Sequence, residues 1–154
     1  RRCRQPPILD ALTAEPHRLE GVLPLAVTRD LDLVLLLVDA RSAVPATLDE
    51  KVALALELTE HARAAGLDQR RLIVDPVLPN LRWHDADDQL DAAVELVRLL
   101  DSGELLGTPL RTMAGLSNLR SGLRRQVPRD VERTALSRLE DAGLTYALLD
   151  VLVP

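Results

Sequence analysis

The chain contains no phenylalanine, one tryptophan and one tyrosine among 154 residues. Its core must therefore be built from leucine, valine and alanine, and stacking platforms for bases or sugars are almost absent. Any flat ligand has to be held mainly by polar edges. Cysteine is equally scarce, and Cys3 alone can form neither an internal disulfide nor a metal cluster. That fits a reducing compartment, with the cytoplasm as the default. Basic residues number 19 against 24 acidic ones, a net charge of −5, and no basic stripe with interleaved aromatics would track a phosphate backbone. Nucleic acid is not an expected partner. The longest apolar run, Leu33 to Val38, is too short to cross a bilayer, and the amino terminus carries charge without the apolar core of a signal peptide. Neither membrane association nor export is expected. His17, His61 and His84 are isolated at no metal-ligand spacing, so no bound metal is expected.

What is present is an ordinary globular composition, 47% hydrophobic and 28% charged, in a chain long enough to bury a substantial core. Short β-prone apolar runs alternate with segments of helical period. The runs Pro7 to Leu12, Leu33 to Val38, Leu72 to Val77, Leu110 to Leu116 and Tyr146 to Leu152 are the predicted strands, with four helices between them. In the second helix Thr47 and Glu50 form a capping box, Leu54, Leu58 and Ala62 share one face, and Gly66 ends the segment. Leu90, Val94 and Val97 repeat the pattern before Gly103, as do Val131, Ala135 and Leu139 before Gly143. The spacing is that of one βα unit. Continuously apolar strands joined through helices imply parallel pairing with both faces covered, in either a doubly wound sheet or part of a (βα)-barrel. No linker or low-complexity segment divides residues 1–154, which read as a single domain.

In both architectures ligands bind at the carboxyl ends of the strands, and those ends are polar here. Asp10 lies near the end of the first, Asp39 and Arg41 follow the second, Asp75 sits in the third, Ser117 and Asn118 follow the fourth, and Asp150 lies in the fifth. Asp75 follows Leu72-Ile73-Val74 and precedes Pro76-Val77-Leu78-Pro79-Asn80, so a carboxylate is set inside an apolar run with prolines fixing its surroundings. A planar ligand edge with two adjacent N–H groups would satisfy both of its oxygens. The plainer alternative is an aspartate capping the next loop's amides. The run Thr112 to Leu123 breaks from apolar into small and amide residues, where Gly115 permits close approach and Ser117 and Asn118 offer hydroxyl and amide hydrogen bonds. Its plainer alternative is a strand followed by a Ser-Asn turn that binds nothing.

These segments carry a resemblance to the pterin-binding barrel family, which includes dihydropteroate synthase, and within it to the methyltetrahydrofolate:corrinoid/iron–sulfur-protein methyltransferase branch. Leu72-Ile73-Val74-Asp75-Pro76-Val77-Leu78-Pro79 resembles that branch's Asp-Pro-Leu-Val-Leu-Pro segment. Gly115-Leu116-Ser117-Asn118 followed by Gly122-Leu123 resembles its Gly-Leu-Ser-Asn loop, Ala142-Gly143-Leu144 with Ala147 to Asp150 is similar to its last strand, and Pro7 to Leu12 to its Ile-Asn-Ser strand. The lysine and Ser-Arg-Lys loop typical of dihydropteroate synthase are missing. The resemblance implies a TIM (β/α)8 barrel, in which Asp75 grips the pterin's amino and ring N–H groups together with Asp10, Gly115 and Ser117, and Asn118 lies near N5. Stabilising N5 as the methyl leaves would raise the rate, which makes Asn118 the implied catalytic residue. The substrate would be methyltetrahydrofolate, the methyl acceptor a corrinoid (cobalamin) carried by a partner protein, and the full-length enzyme a homodimer. Arg120, Arg124, Arg125 and Arg129 are candidates for the folate's glutamate tail.

Two positions depart from the family pattern: Asp10 replaces an asparagine, and Arg124 replaces a proline. An ionised Asp10 accepts hydrogen bonds but cannot donate, which alters ligand preference or marks an inactive paralogue. A closed barrel needs about 250 residues, so 154 residues with five strands and four helices read as a barrel truncated at both ends. Two further functions are weighed beside methyl transfer: a dihydropteroate synthase-type enzyme, and a non-catalytic pterin-binding or docking module of a corrinoid-linked complex.

Overall fold

The computed structural model describes residues 7–123 and 128–149. Along these run β1 (Ile8–Leu12), α1 (Pro16–Arg29), β2 (Asp32–Leu36), α2 (Leu48–Ala64), β3 (Leu72–Asp75), α3 (Ala86–Ser102), β4 (Arg111–Gly115), α4 (Asp130–Asp141) and β5 (Tyr146–Leu148). Each strand pairs in parallel with the next, in the order β1-β2-β3-β4-β5. Strand order therefore follows chain order without a switch point, which selects successive barrel units over the doubly wound sheet.

Local chemistry sets the helix ends. Thr47 Oγ1 accepts from the Glu50 N–H at 3.3 Å, and the Glu50 carboxylate accepts from the Thr47 N–H at 3.1 Å, so the expected capping box starts α2. Leu54, Leu58 and Ala62 are buried along it. At the end of α3, Gly103 takes the left-handed conformation that closes a helix, with φ of +78°.

The two faces of the sheet have different packing. Leu33, Leu35, Leu72 and Val74 point outward into a core completed by Leu23, Leu54, Leu58 and Leu96 from the helices. Val34, Ile73 and Met113 point the other way and pack with Ala11 and Tyr146. That inner layer corresponds to side chains filling a barrel interior. Because side chains alternate along a strand, Asp75 shares the inner face with Ile73 and sits at its carboxyl end.

Several strands are shorter than the apolar runs suggest. Strand β3 stops at Asp75 rather than Val77, because Pro76 has no N–H for the ladder and Val77 turns to a φ of +55°. Strand β4 stops at Gly115 rather than Leu116, since Leu116–Asn118 close a single 3-10 turn. Strand β2 runs from Asp32 to Leu36 rather than from Leu33 to Val38. Strand β5 covers Tyr146–Leu148, and the expected continuation through Asp150 to Leu152 lies outside the described residues. Apolarity overstated these lengths because buried loop residues, such as Leu37 and Leu78, are as hydrophobic as strand residues.

At the amino ends of the strands, charged side chains satisfy one another. Asp32 accepts from Arg111 at 2.8 Å and from Arg71 at 3.2 Å, Arg71 also pairs with Asp30, and Arg111 donates to the Arg70 carbonyl at 2.6 Å. Burial raises the Asp32 carboxyl, but the hydrogen bonds from Arg111 and Arg71 more than offset this and hold it below its usual range. These residues line a cleft of about 510 Å³, larger than any at the opposite end described below. Its charges are mutually paired, as expected of the end of a barrel that serves stability. No helix among the described residues is long and apolar enough to cross a membrane.

Candidate functional site

At the carboxyl ends of the strands the most unusual group is Asp75. It is only 8% exposed, and the one hydrogen bond to its carboxylate among the described residues comes from the Val77 N–H, 2.8 Å from Oδ1. Burial pushes its carboxyl up to about 6. The Val77 N–H opposes that rise, the charge of Asp10 adds to it, and Lys51 again opposes it. Asp75 therefore keeps acceptor capacity in a place where an unpaired carboxylate is unfavourable.

Asp10, on the exposed side of β1, makes no hydrogen bond among the described residues. It is nevertheless close enough to Asp75 for its charge to matter. The two carboxylates that the sequence singled out are thus brought together. Asp39 and Arg41, also anticipated at a strand end, instead close a turn on themselves: Asp39 accepts from the backbone N–H groups of Ala43 and Arg41 and pairs with the Arg41 guanidinium at 3.1 Å.

The loop after β3 is sewn to the loop after β4. Asn80 Nδ2 donates to the Ser121 carbonyl at 2.9 Å, the Leu81 N–H to the Leu119 carbonyl at 3.1 Å, and Arg82 to the Gly122 carbonyl at 3.2 Å. Between these loops lies a cleft of about 260 Å³ lined by Val77, Leu78, Asn80, Trp83, Asn118 and Ser121. The chain's single tryptophan is thus placed in it, 40% exposed. The side chains of Ser117 and Asn118 make no hydrogen bond among the described residues, leaving a hydroxyl and an amide open. Gly115 has an ordinary φ of −88°, and a Cβ added there would meet only the Asn118 amide, at 3.8 Å. Neither backbone conformation nor packing within the chain requires glycine at that position.

The candidate tail-binding arginines separate. Arg120 is buried and bonded to Glu132 of α4 at 3.3 Å, Arg129 is exposed at the start of α4, and Arg124 and Arg125 lie outside the described residues. Among the described residues no three His, Cys, Asp or Glu side chains group as a metal site.

Sequence reasoning missed Lys51. It is the only lysine in the chain, lies in the first turn of α2, is fully buried, and donates from Nζ to the Pro76 carbonyl at 2.8 Å. Burial pulls its ammonium down to about 8, against the pull of Asp75 and Glu50. A signal existed: position 51 falls on the same helical stripe as Leu54, Ala55, Leu58 and Ala62, where a charge is out of place.

No family model matches the chain. Solved structures do. A Xanthomonas albilineans dihydropteroate synthase with 4-aminobenzoic acid superposes with a TM-score of 0.59 at 18% identity, over 88% of this chain and 56% of that one. The chain has the fold of about half a dihydropteroate synthase barrel. A dihydropteroate synthetase with a bound product gives 0.57 at 18% identity, over 83% and 48%. The X. albilineans enzyme in complex with indole-2-carboxylic acid and 6-chloroguanine gives 0.54 at 21% identity, over 87% and 47%. At these identities the likeness is one of fold, and it does not separate the branches within that fold.

Proposed function

We propose that this dihydropteroate synthase-like half-barrel contributes a pterin site, and that the protein carrying it transfers the N5-methyl group of methyltetrahydrofolate to a corrinoid held by a partner protein. The observation that carries the reading is the Asp75 carboxylate, buried at the inner carboxyl end of β3 with a single backbone donor. The 2-amino and N3–H groups of a pterin form a donor pair that fits its spare acceptor capacity, and a buried charge-assisted pair of this kind is strong. Asp10 offers a second acceptor nearby. Asn118, with its amide open beside the cleft, would donate a hydrogen bond to N5 as cobalt(I) supplies the electron pair of the new cobalt–carbon bond, the N–methyl bonding pair stays on N5, and a proton from solvent completes tetrahydrofolate. The residues quoted in the Asp75 and Asn118 segments favour this methyl-transferring branch.

Pteroate formation is a second reading, favoured by the dihydropteroate synthases that share the fold. It requires a cation for a pyrophosphate leaving group, and the only lysine is buried against Pro76. An arginine would have to serve.

Calorimetric titration of methyltetrahydrofolate into the intact protein, alongside methyl transfer to cob(I)alamin, tests the proposal. Binding that is lost in Asp75→Ala and turnover that is lost in Asn118→Ala are the expected results. If the native protein binds methyltetrahydrofolate without transferring methyl and Asp10→Asn creates transfer, the native site is a binding module. Failure of the native protein to bind any pterin refutes the reading.

A further inference from the structure

Lys51 takes no part in the proposed chemistry, yet its position is hard to explain by packing. Among the described residues its fully buried ammonium has one hydrogen-bond acceptor, the Pro76 carbonyl, for three donors. A methionine would fill the same stripe of α2 without a buried charge, and burying one without a full set of partners is unfavourable. Apart from three histidines, every other basic side chain in the sequence is an arginine. The carbonyl it holds belongs to the residue that links Asp75 to Val77, the donor to the Asp75 carboxylate. The charge of Lys51 and that of Asp75 also act directly on each other.

We infer that Lys51 is a positioning residue for the Asp75 site: from the first turn of α2 its ammonium clamps the Pro76 carbonyl and fixes the turn that aims Asp75. Beside that clamp, its charge favours the ionised form of the carboxylate. The effect on ligand affinity rests on the pterin reading above, whereas the clamp itself does not. The charged groups that act on the pair are Asp10 from β1 and Glu50 from α2. Asp10 favours protonation of Asp75, and Lys51 opposes it. The inferred role of the lysine is to counter a second carboxylate at the mouth of the site.

A single lysine makes the test direct. In the intact protein labelled with 15N at lysine Nζ and 13C at aspartate Cγ, one Nζ resonance titrates near 8 instead of at a solvated lysine's value. The Asp75 Cγ resonance, assigned by its loss in Asp75→Asn, shows its main inflection near 6 and a second at the lysine's own midpoint. In Lys51→Met the second inflection disappears and the main one moves up, as expected for removal of a neighbouring opposite charge. Lys51→Arg restores the lower midpoint. Methyltetrahydrofolate then binds Lys51→Met more weakly than native at pH 6, in line with the smaller ionised fraction, and the gap narrows at pH 8.

An Nζ resonance titrating like a free lysine, or an Asp75 resonance indifferent to it, overturns the inference. The native titration decides this even if Lys51→Met does not fold. Absence of methyltetrahydrofolate binding by the native protein would reject the pterin reading while the two resonances still judge the clamp.

Discussion

Val77 gives its backbone N–H to the Asp75 carboxylate at 2.8 Å while its own φ stands at +55°. A β-branched residue in the left-handed region is strained by about 1–3 kcal/mol, and the carboxylate two residues back helps to hold it there. The turn ends β3 and delivers Val77 and Leu78 to the cleft beside Asn118. Asp75 thus shapes its own site as well as presenting an acceptor.

Val77→Gly removes the strain but also the side chain's contact with the cleft. Thermal unfolding of this variant should match native or improve by up to about 1 kcal/mol, whereas an alanine in its place should gain less, since it retains a Cβ. A large loss of stability in the glycine variant would show that the turn is not strained.

Asp75→Asn separates stability from binding. The native carboxyl titrates near 6 when folded and near 3.8 when unfolded, so its protonated form supports the fold fully below about pH 4. That support is lost as pH rises from about 4 to 6, amounting to as much as about 3 kcal/mol. Asparagine abolishes the slope in a series of urea melts and keeps the Val77 bond through its amide oxygen. Pterin affinity of native protein, in contrast, should fall about tenfold per pH unit below about 6, as the acceptor is protonated. In the asparagine variant affinity should be weak and flat with pH.

Asn118→Ala should lower single-turnover methyl transfer by about 10²–10³-fold while changing methyltetrahydrofolate affinity by less than about tenfold, because a bond that strengthens as N5 loses its methyl acts on rate more than on binding. Equal losses in both would recast Asn118 as a binding residue.

Asp32→Ala should destabilise the fold by about 1–3 kcal/mol at pH 7 without changing pterin affinity, since it leaves Arg71 and Arg111 without their shared partner at the far end of the strands. The Asp32 carboxyl is held below its unfolded value, so its contribution is present above about pH 4 and disappears as pH falls through the lower folded value. The stability difference between native protein and variant, followed in urea melts by circular dichroism, should therefore be full above about pH 4 and shrink as pH falls below it.

The capped and apolar-periodic helices were legible in the chain because a capping box and a repeat of 3.6 are local properties. Thr47 with Glu50, and Leu54, Leu58 and Ala62 behind them, form α2 as their spacing predicts. Strand ends were less legible, because hydrophobicity reports burial rather than pairing: Leu78 is as buried as Ile73 but lies in a loop. Asp75, Ser117 and Asn118 were visible as polar residues in apolar runs. Lys51 is hard to find locally, because a lysine beside Asp49 and Glu50 equally fits a solvated helix start.

By itself, the sequence determined the alternation of strands and helices, the caps, and the placement of an aspartate and an asparagine where two successive units end, all of which depend on near neighbours along the chain. Only the tertiary structure decided that the strands run in barrel order, that Asp10 comes close enough to raise Asp75, and that a lysine 25 residues away is buried against the carbonyl between Asp75 and Val77. Burial and electrostatic coupling depend on which segments fold over one another, and that distance in space is not written in distance along the chain.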